Sequence, residues 1–449
     1  MDGNGTLDAV VIGGGIAGLA AAWELRDREV LLLEAGSRPG GRILSERRGD
    51  VWLNYGAHVF SGTGSVSDRL ITEAGVQAVQ VPGRLAAVSL NGRLVASGGV
   101  ETFPFRLPMS MDARVALVRA GIKLRLAVRR YAAIAKPVPG EDPAERQLRM
   151  LRFMDDRSFT AFSGRLPEDV DLLFRSTLTR SSGEPEDLAA GYGVGYFHLV
   201  WSRSDGLSRN ILGGSATFTD ALAAGLGDRV HLGAEVTSVV PDGDGVRVTW
   251  TEGGVEHEVR AAAAVVATPA YVTRRIVAGL PDETAAALDA VTYGPYVVGA
   301  FLTSETSPMP WDDLYALATP KRSFSMLFNT ANVLRAGGGP RQAGGSLMAY
   351  AAAGFARRLA DLDDDAVEAR FREDFAGLFP EARAVTAEVV IKRWERGLPY
   401  PRVGRSRIQA ALTQPLGRVH LAGDYLGTWY TETAIQTAVT AAAAIRAGL

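Results

Sequence analysis

Residues 7–42, LDAVVIGGGIAGLAAAWELRDREVLLLEAGSRPGGR, decide the fold of this chain. Leu7–Ile12 is a short apolar run, which is typical of a buried parallel strand. The next residues place Gly13, Gly15 and Gly18 in a G-x-G-x-x-G pattern. In such a pattern the first glycine permits a tight turn, the second lets a pyrophosphate approach the backbone, and the third lets helix and strand pack closely.

The residues after the glycines complete a nucleotide-binding unit. Ile16–Leu25 is predicted to be a helix whose N-terminal N–H groups point toward the phosphates. Val30–Leu33 is predicted as a second strand, and it ends at Glu34, 21 positions after Gly13. A carboxylate there would accept hydrogen bonds from a ribose diol. The pattern therefore indicates a dinucleotide site, and the alternative is an ordinary strand–turn–helix without a ligand.

A second glycine motif, Arg38-Pro39-Gly40-Gly41-Arg42, follows Glu34 closely. With the first motif, it resembles the flavin amine oxidase superfamily, which includes monoamine and polyamine oxidases, protoporphyrinogen oxidases and phytoene-type desaturases. The resemblance implies FAD as the cofactor, with Gly40 and Gly41 approaching the pyrophosphate and Arg42 capping the phosphate or ribityl side. The alternative is a solvated basic loop.

The resemblance covers nearly the whole chain and implies an α/β fold. A discontinuous Rossmann-like FAD-binding domain would be combined with a mixed α+β substrate-binding domain. The expected FAD-binding segments are 1–90, 205–290 and 389–449. The expected substrate-domain segments are 91–204, mainly helical, and 291–388, built of sheet and helix.

The middle and last segments carry further cofactor residues. The alternating stretch 230–239 leads to a hairpin turn at 242–245, the stretches 246–251 and 255–259 are predicted as further strands, and 261–269 is predicted as a closing strand. The resemblance places the backbone of Val236 against the adenine. Near the C-terminus, a strand ends in Gly423 and Asp424, and Asp424 would bond the ribityl or pyrophosphate region. The helix predicted at Thr431–Arg446 would direct its N-terminus at the flavin pyrimidine edge, where its partial positive charge favours the anionic reduced form; the alternative is a plain strand and helix.

Three stretches, 51–58, 394–401 and 428–434, are expected to build the reaction site. In the first, Gly56 and Ala57 would pass beside the flavin, and His58 would touch substrate or flavin or be structural. The superfamily usually has an acid where this chain has Asn54, so a local charge is in doubt.

Aromatic side chains of the other two stretches are the remaining catalytic candidates. The second stretch begins at Trp394. In amine oxidases, two aromatic side chains flank the substrate nitrogen above the flavin, and Tyr400 and Tyr430 are their counterparts here. An aromatic cage favours an electron-rich or cationic substrate, whereas the alternative for these rings is core packing.

The expected reaction is FAD-dependent removal of hydride from a CH–NH or CH–CH bond, giving C=N or C=C. The substrate would be a small organic molecule, with secondary metabolites among the candidates, and O2 would be the electron acceptor. Many amine oxidases place a lysine on the strand matching Tyr293–Leu302, and this chain has none there. This absence favours the protoporphyrinogen-oxidase and desaturase branches of the superfamily. The alternatives are a redox-neutral flavin-dependent isomerase or mutase, and a flavin-bound scaffold without turnover.

Composition narrows the remaining function classes. The chain of 449 residues has a formal charge of −2 and so lacks the excess of positive charge that is typical of nucleic-acid-binding proteins. The absence of cysteine excludes disulfides, thiolate metal sites and a cysteinyl-linked flavin, so FAD is expected to be non-covalent. The five histidines lack metal-ligand spacing, so no metal is expected.

The sequence has no pattern typical of a targeting segment or of a membrane-spanning helix. The N-terminal residues lack the pattern of a signal peptide, and no apolar stretch is long enough to span a bilayer, so a cytoplasmic location is expected. The segment 110–135 is rich in arginine with interleaved apolar residues. A solvated helix face is the favoured interpretation, and a helix lying on a membrane surface is the alternative.

Overall fold

The computed structural model describes residues 7–81, 83, 86–201, 207–335, 341–428 and 430–448. Trp429, in the third predicted site stretch, lies outside these residues.

The described strands are β1 Leu7–Ile12, β2 Val30–Glu34, β3 Ser45–Arg48, β4 Val51–Asn54, β5 Phe60–Ser61, β6 Ala78–Gln80, β7 Ala87–Leu90, β8 Arg93–Val95, β9 Leu207–Ile211, β10 Val230–Leu232, β11 Ala234–Asp242, β12 Gly245–Glu252, β13 Val255–Val266, β14 Tyr293–Thr303, β15 Ala316–Ala318, β16 Met326–Asn329, β17 Gly345–Ala352, β18 Thr386–Pro399 and β19 Val419–Leu421.

The described helices are α1 Ile16–Glu24, α2 Val66–Glu73, α3 Phe103–Arg106, α4 Met111–Ala135, α5 Pro143–Arg152, α6 Phe159–Ser163, α7 Glu168–Leu178, α8 Ala190–Trp201, α9 Ala216–Leu226, α10 Ala270–Ile276, α11 Asp282–Asp289, α12 Asn332–Arg335, α13 Gly354–Arg357, α14 Asp364–Leu378, α15 Ala382–Val385, α16 Gln409–Thr413 and α17 Tyr430–Gly448.

The first sheet has the order β10-β2-β1-β13-β12-β11, and β19 pairs with β13. Strands β10, β2, β1, β13 and β19 pair in parallel, whereas β11, β12 and β13 form an antiparallel meander. Helices α1 and α17 share one core with this sheet, where small side chains such as Ala21, Ala438 and Ala442 allow close packing. These elements confirm the α/β prediction for the chain's first, middle and last segments.

The second sheet has the order β18-β14-β17-β16-β15-β7-β8. Helix α14 covers one face, where Phe371 and Phe375 belong to the same core as Phe301 of β14. The strands β7, β8 and β18 extend the sheet beyond the segment 291–388. We therefore propose that the substrate domain also takes in β7 and most of β18, which lie in ranges expected for the FAD-binding domain, whereas β8 already lies in the expected substrate segment 91–204.

Local predictions and structure differ at two strands. The stretches 255–259 and 261–269 were expected to be separate strands, but β13 runs without a break through Val266. It can do so because its first half pairs only with β12, and its second half also joins β1. The strand β18 was not predicted, because charged residues fill it and only Val389 within it is buried.

Helix α4 exposes a row of apolar side chains. Met111 is 72% exposed, Ile122 58% and Leu126 52%, and their spacing of three or four residues through Val115 and Val118 puts them on one face. A solvated face explains the neighbouring arginines but not this row, which is typical of an interaction surface. No helix within the described ranges is both long and apolar enough to cross a bilayer.

Candidate active site

A cavity of about 930 Å³ lies between the first sheet and the second. It brings together most of the residues that the sequence singled out. The lining residues among them are Gly13, Gly15, Glu34, Gly40, Gly41, Arg42, Gly56, Ala57, His58, Val236, Trp394, Gly423, Asp424 and Tyr430.

Two predicted residues lie outside this cavity. Gly18 is buried on α1 and faces the carbonyl of Gly13, which suits its predicted role in close packing. Tyr400 was expected to face Tyr430 across one site; it does not line the larger cavity but a neighbouring one of about 360 Å³, which Tyr430 and Asp424 also line. The chain leaves β18 at Pro399, and the ring of Tyr400 packs against Gly183 instead.

The two glycine motifs meet at one end of the larger cavity. The N–H of Gly40 donates to the carbonyl of Gly14 at 2.8 Å, and Gly15 and Gly40 form a parallel bridge. Gly13 has φ of 101° and Gly40 has φ of 98°, conformations that side-chain-bearing residues rarely adopt. A Cβ built on Gly15 would meet nothing within 4 Å, so the surface of this loop is open to a ligand.

Glu34 stands at the end of β2 as the sequence predicted. Its two carboxylate oxygens accept hydrogen bonds from the N–H of Gly14 at 2.5 Å and from that of Gly36 at 2.7 Å. These bonds fix the carboxylate on the cavity wall, and each oxygen has a second lone pair free to accept from a ribose hydroxyl.

Arg42 joins three distant parts of the chain beside the cavity. Its guanidinium binds both oxygens of Asp424, at 2.9 and 3.0 Å, and donates to the carbonyl of Gly397 at 3.1 Å. Burial opposes the charge of Arg42, but Asp424 outweighs that penalty and the pKa of Arg42 is raised. The pair therefore presents a fixed cation and anion where the second glycine motif meets the C-terminal segment.

The N-terminus of α17 lies against the same cavity through Tyr430, Thr431 and Ala434. The Oγ1 atom of Thr431 is buried and has no hydrogen-bond partner among the described residues. A buried hydroxyl without a partner is costly unless a ligand satisfies it. Together with the open surface at Gly15, this hydroxyl shows that the residues present fit an elongated polar group such as FAD.

Aromatic side chains close the end of the cavity away from the glycine loops. The rings of Tyr196 and Tyr430 stand edge to face with centroids 6.2 Å apart, and those of Tyr296 and Tyr350 are 5.0 Å apart. Trp394 donates its indole N–H to the carbonyl of Tyr55 at 2.7 Å, which fixes its orientation. We call Tyr196, Tyr296, Phe328, Tyr350, Trp394 and Tyr430 the aromatic box.

The phenols of the aromatic box are neutral. Burial raises the pKa of Tyr196, and it raises the pKa of Tyr430 well above the ordinary value of 10.0. These hydroxyls therefore donate and accept hydrogen bonds but do not serve as anions. Tyr196, Tyr296 and Tyr350 were missed by the sequence analysis because they come from one helix and two strands without a shared motif.

Two further residues clarify departures from the resembled superfamily. Asn54 does not line the cavity; its Oδ1 accepts from the Oγ of Ser215 at 3.3 Å and so links β4 to the start of α9. Although β14 carries no lysine, the adjacent strand β18 does: Lys392 pairs in register with Val298 of β14. The ammonium of Lys392 stands 5.2 Å from the centroid of the Trp394 ring, next to the aromatic box.

His58 lines the cavity as an uncharged residue. Burial is the main cause that lowers its pKa to about 4, against a smaller raising effect of the hydrogen bond to the Gly56 carbonyl. Its Nδ1 is 3.3 Å from that carbonyl oxygen, and its Nε2 has no partner among the described residues. His58 is therefore suited to accept a hydrogen bond and not to hold a proton.

The lowered pKa of His58 predicts that stability falls in mild acid. Unfolded histidine takes up a proton near its ordinary value of 6.5, and the native residue does so only near pH 4. The folded state should therefore lose roughly 2 kcal/mol from this residue between pH 7 and pH 5. Urea unfolding should show a smaller loss for His58→Gln than for wild type. The exposed His257→Gln should retain the wild-type loss, and an equal loss in all three would contradict this account.

The sequence profile of the family described as flavin containing amine oxidoreductase matches residues 16–446. The chain belongs to this family. Membership confirms the resemblance drawn from the glycine motifs and identifies an oxidoreductase class that uses a flavin, for which the cavity has a fitting shape and lining.

Individual relatives are distant. A Mycobacterium tuberculosis protein named as a flavin-containing monoamine oxidase, AofH, is 28% identical over 274 residues, which cover 56% of this chain and 55% of that protein. The pig (Sus scrofa) flavin-containing amine oxidase B is 28% identical over 273 residues, 58% of this chain and 49% of that protein. The chain thus spans about half the length of the relatives it matches.

Solved structures confirm the fold over nearly the full length. Putrescine oxidase bound to putrescine superposes with a TM-score of 0.79 at 20% identity, covering 98% of this chain and 99% of that one. Cyclohexylamine oxidase from Brevibacterium oxydans gives 0.77 at 20% identity with the same coverage. At this identity the likeness concerns the fold.

Proposed function

We propose that this protein is an oxidase that holds FAD non-covalently in the larger cavity and converts the CH–NH bond of an amine to C=N, with O2 as electron acceptor. The observation that carries the proposal is the aromatic box, which closes the same cavity whose other end is formed by the two glycine motifs. A small aromatic enclosure suits an amine, whereas a polyene needs a long tunnel and a tetrapyrrole a broad chamber.

In this proposal FAD supplies the acceptor for the hydride when bound. The residues of the chain bind FAD and orient it. The loops at Gly15 and Gly40 would receive the pyrophosphate, Glu34 the ribose, and the paired Arg42 and Asp424 the ribityl region. The start of α17 would lie at the flavin ring.

The aromatic box would position the substrate and exclude water. The faces of Trp394 and Tyr430 attract a cationic nitrogen. The unpaired Nε2 of His58 would accept a hydrogen bond from a substrate N–H. With a pKa of about 4, His58 would orient the amine without retaining its proton.

Anaerobic mixing of the FAD-loaded protein with a panel of amines tests the proposal. We expect bleaching of the flavin absorbance, and in air the release of hydrogen peroxide. The observation that favours CH–CH oxidation instead is the lack of lysine on β14. Bleaching by an unsaturated-bond precursor without an oxidisable nitrogen, and not by amines, would support that alternative. Turnover without net reduction would indicate a mutase, and no response to any substrate would indicate a scaffold.

Non-covalent attachment predicts that acid precipitation of the pure protein leaves all FAD in the supernatant. The chain has no cysteine, and His58 is the histidine that lines the described cavity. Absorbance spectra of pellet and supernatant provide the measurement. Flavin retained in the pellet would contradict the prediction, and its loss from that pellet on His58→Gln would locate the bond.

Tyr430 provides a test of the aromatic box. The backbone of Tyr430 has φ of 33°, which is uncommon for a residue with a side chain and is found at functional sites. Tyr430→Ala should slow anaerobic flavin reduction by about 100-fold, because misplacing the substrate can cost that much. FAD occupancy should be retained. Tyr400→Ala is the matched control, since that tyrosine does not line the larger cavity and its loss should leave reduction within a few-fold of wild type. Equal effects would remove Tyr430 from the site.

A further inference from the structure

Arg180 brings a positive charge into the aromatic box. It lies in the short turn that follows α7 and lines the larger cavity. The carbon of its guanidinium is 5.1 Å from the centroid of Phe328 and 5.6 Å from that of Tyr196. Its own carbonyl accepts a hydrogen bond from the Tyr296 hydroxyl at 2.8 Å, which holds the turn against β14.

No carboxylate balances this charge in the described part of the chain. The titratable groups that interact with Arg180 are tyrosines and His58, which are uncharged at neutral pH, and no Asp or Glu oxygen of the described residues lies within 4.0 Å of its guanidinium. Arginine remains charged at any ordinary pH, and an enclosed charge without a partner is costly. The carboxylates that line the cavity within the described ranges are Glu34, Glu235, Glu395 and Asp424.

Three of those four carboxylates have other partners, and the fourth is exposed to solvent. Glu34 is bound by two backbone N–H groups, and Asp424 is bound by Arg42. Glu235 is 3.6 Å from Arg275, and Glu395 is exposed to solvent. The anion that would balance Arg180 must therefore come from elsewhere.

We propose that the substrate supplies it: the amine carries a carboxylate that Arg180 binds, so the substrate class is an amino acid or an amine derived from one. This rests on the proposed oxidase function. A guanidinium binds a carboxylate through two parallel hydrogen bonds, and Phe328 and Tyr196 hold the guanidinium plane in place. Because the ring of Tyr196 also contacts Tyr430, the carboxylate and the amine nitrogen would lie within one enclosure.

The same arrangement selects against diamines. A second ammonium placed in the aromatic box would meet the charge of Arg180 with no carboxylate to offset it, and like charges brought together in an enclosed site disfavour the wrong partner. The structure superposes on putrescine oxidase bound to putrescine, yet this cation indicates a different substrate.

Matched substrate pairs test the assignment. With the FAD-loaded protein, kcat/KM should be at least tenfold higher for phenylalanine, in one of its two enantiomers, than for phenethylamine, and likewise for tryptophan over tryptamine. Putrescine should be the poorest substrate. Arg180→Met should abolish or invert the preference, and Arg180→Lys should keep part of it, because lysine retains the charge without the planar fork.

A binding measurement makes the test independent of turnover. Phenylacetate, which has the carboxylate but no amine, should bind the FAD-loaded protein in calorimetric titration. Arg180→Met should weaken it at least tenfold. Arg358→Met is the matched control, because Arg358 also stands over a phenyl ring, that of Phe355 at 4.4 Å, but outside the cavity. It should bind phenylacetate as wild type does.

The outcomes separate the two proposals. Faster oxidation of phenethylamine than of phenylalanine, or unchanged phenylacetate binding in Arg180→Met, would overturn the role of Arg180 and leave the oxidase function standing. If no amine bleaches the flavin, the oxidase function fails, and the titration still decides whether Arg180 binds carboxylates. Should Arg180→Met lose its FAD or its cooperative melting, the comparison of wild type with Arg180→Lys decides the same question.

Discussion

Gly18→Ala is expected to give a protein that folds poorly and retains no FAD. A Cβ at this position would lie far inside the contact distance of the Gly13 carbonyl oxygen and would also approach Ala267. The Gly13 carbonyl lies in the tight turn after β1, and a backbone atom cannot rotate away as a side chain can. Overpacking costs about 1–3 kcal/mol where side chains can yield, so we expect the upper end of that range or beyond here.

The control is the same substitution in an open position. Gly121 lies within α4, and a Cβ there would meet nothing within 4 Å. Gly121→Ala should therefore raise the free energy of unfolding by up to about 1 kcal/mol, because alanine favours a helix more than glycine does. Melting curves measure the stability of each variant, and the ratio of flavin to protein absorbance measures its FAD content. Full FAD occupancy in Gly18→Ala would contradict the close packing of α1 on β1.

The proposed cofactor end of the cavity could be predicted because its residues are subject to backbone constraints. Gly13 and Gly40 adopt positive φ, and Gly18 leaves no room for a Cβ, so glycine alone fits and the spacing becomes visible in the sequence. Glu34 is visible for a related reason: it must end a strand at a set distance from the turn. These positions depend on neighbours close in the chain, which sequence patterns capture well.

The substrate end could not be predicted in the same way. Its aromatic box takes Tyr196 from α8, Tyr296 from β14 and Tyr350 from β17, elements brought together only by the second sheet. An aromatic residue on such an element has the same local pattern whether it fills a core or faces a ligand. Arg180 was missed as well, because a basic residue after a helix ordinarily indicates a solvated turn.

Tyr400 shows how a strand that the sequence conceals decides which cavity a side chain lines. It lies one residue beyond β18, whose charged sequence concealed the strand. Without the strand, the direction of the chain after Trp394 could not be known, and Tyr400 was placed at the site by the resemblance to amine oxidases alone. The pairing of β18 with β14 carries Trp394 into the cavity and turns Tyr400 out of it.

Arg42→Met is expected to destabilise the protein and to weaken FAD retention together. It would leave Asp424, a buried carboxylate, without the guanidinium that now contacts both its oxygens. Removing one partner of a buried ion pair costs about 3–5 kcal/mol. Because the Arg42 side chain is itself 34% exposed and water can reach the site, we expect the lower end of that range. Urea unfolding and flavin content are the measurements.

Two further variants separate charge from cofactor contact. Arg48→Met breaks the 3.1 Å pair with Glu388, whose carboxylate side chain is 38% exposed whereas that of Asp424 is 7% exposed, and should change stability by no more than about 1 kcal/mol. Arg42→Met with Asp424→Leu removes both charges, so most of the lost stability should return, since an apolar pair can replace a buried ion pair at little cost. FAD retention should not return, because both residues are proposed to contact the ribityl region. Recovery of FAD in the double variant would mean that the pair serves folding alone, and the cofactor would then depend on Glu34, the glycine loops and the start of α17.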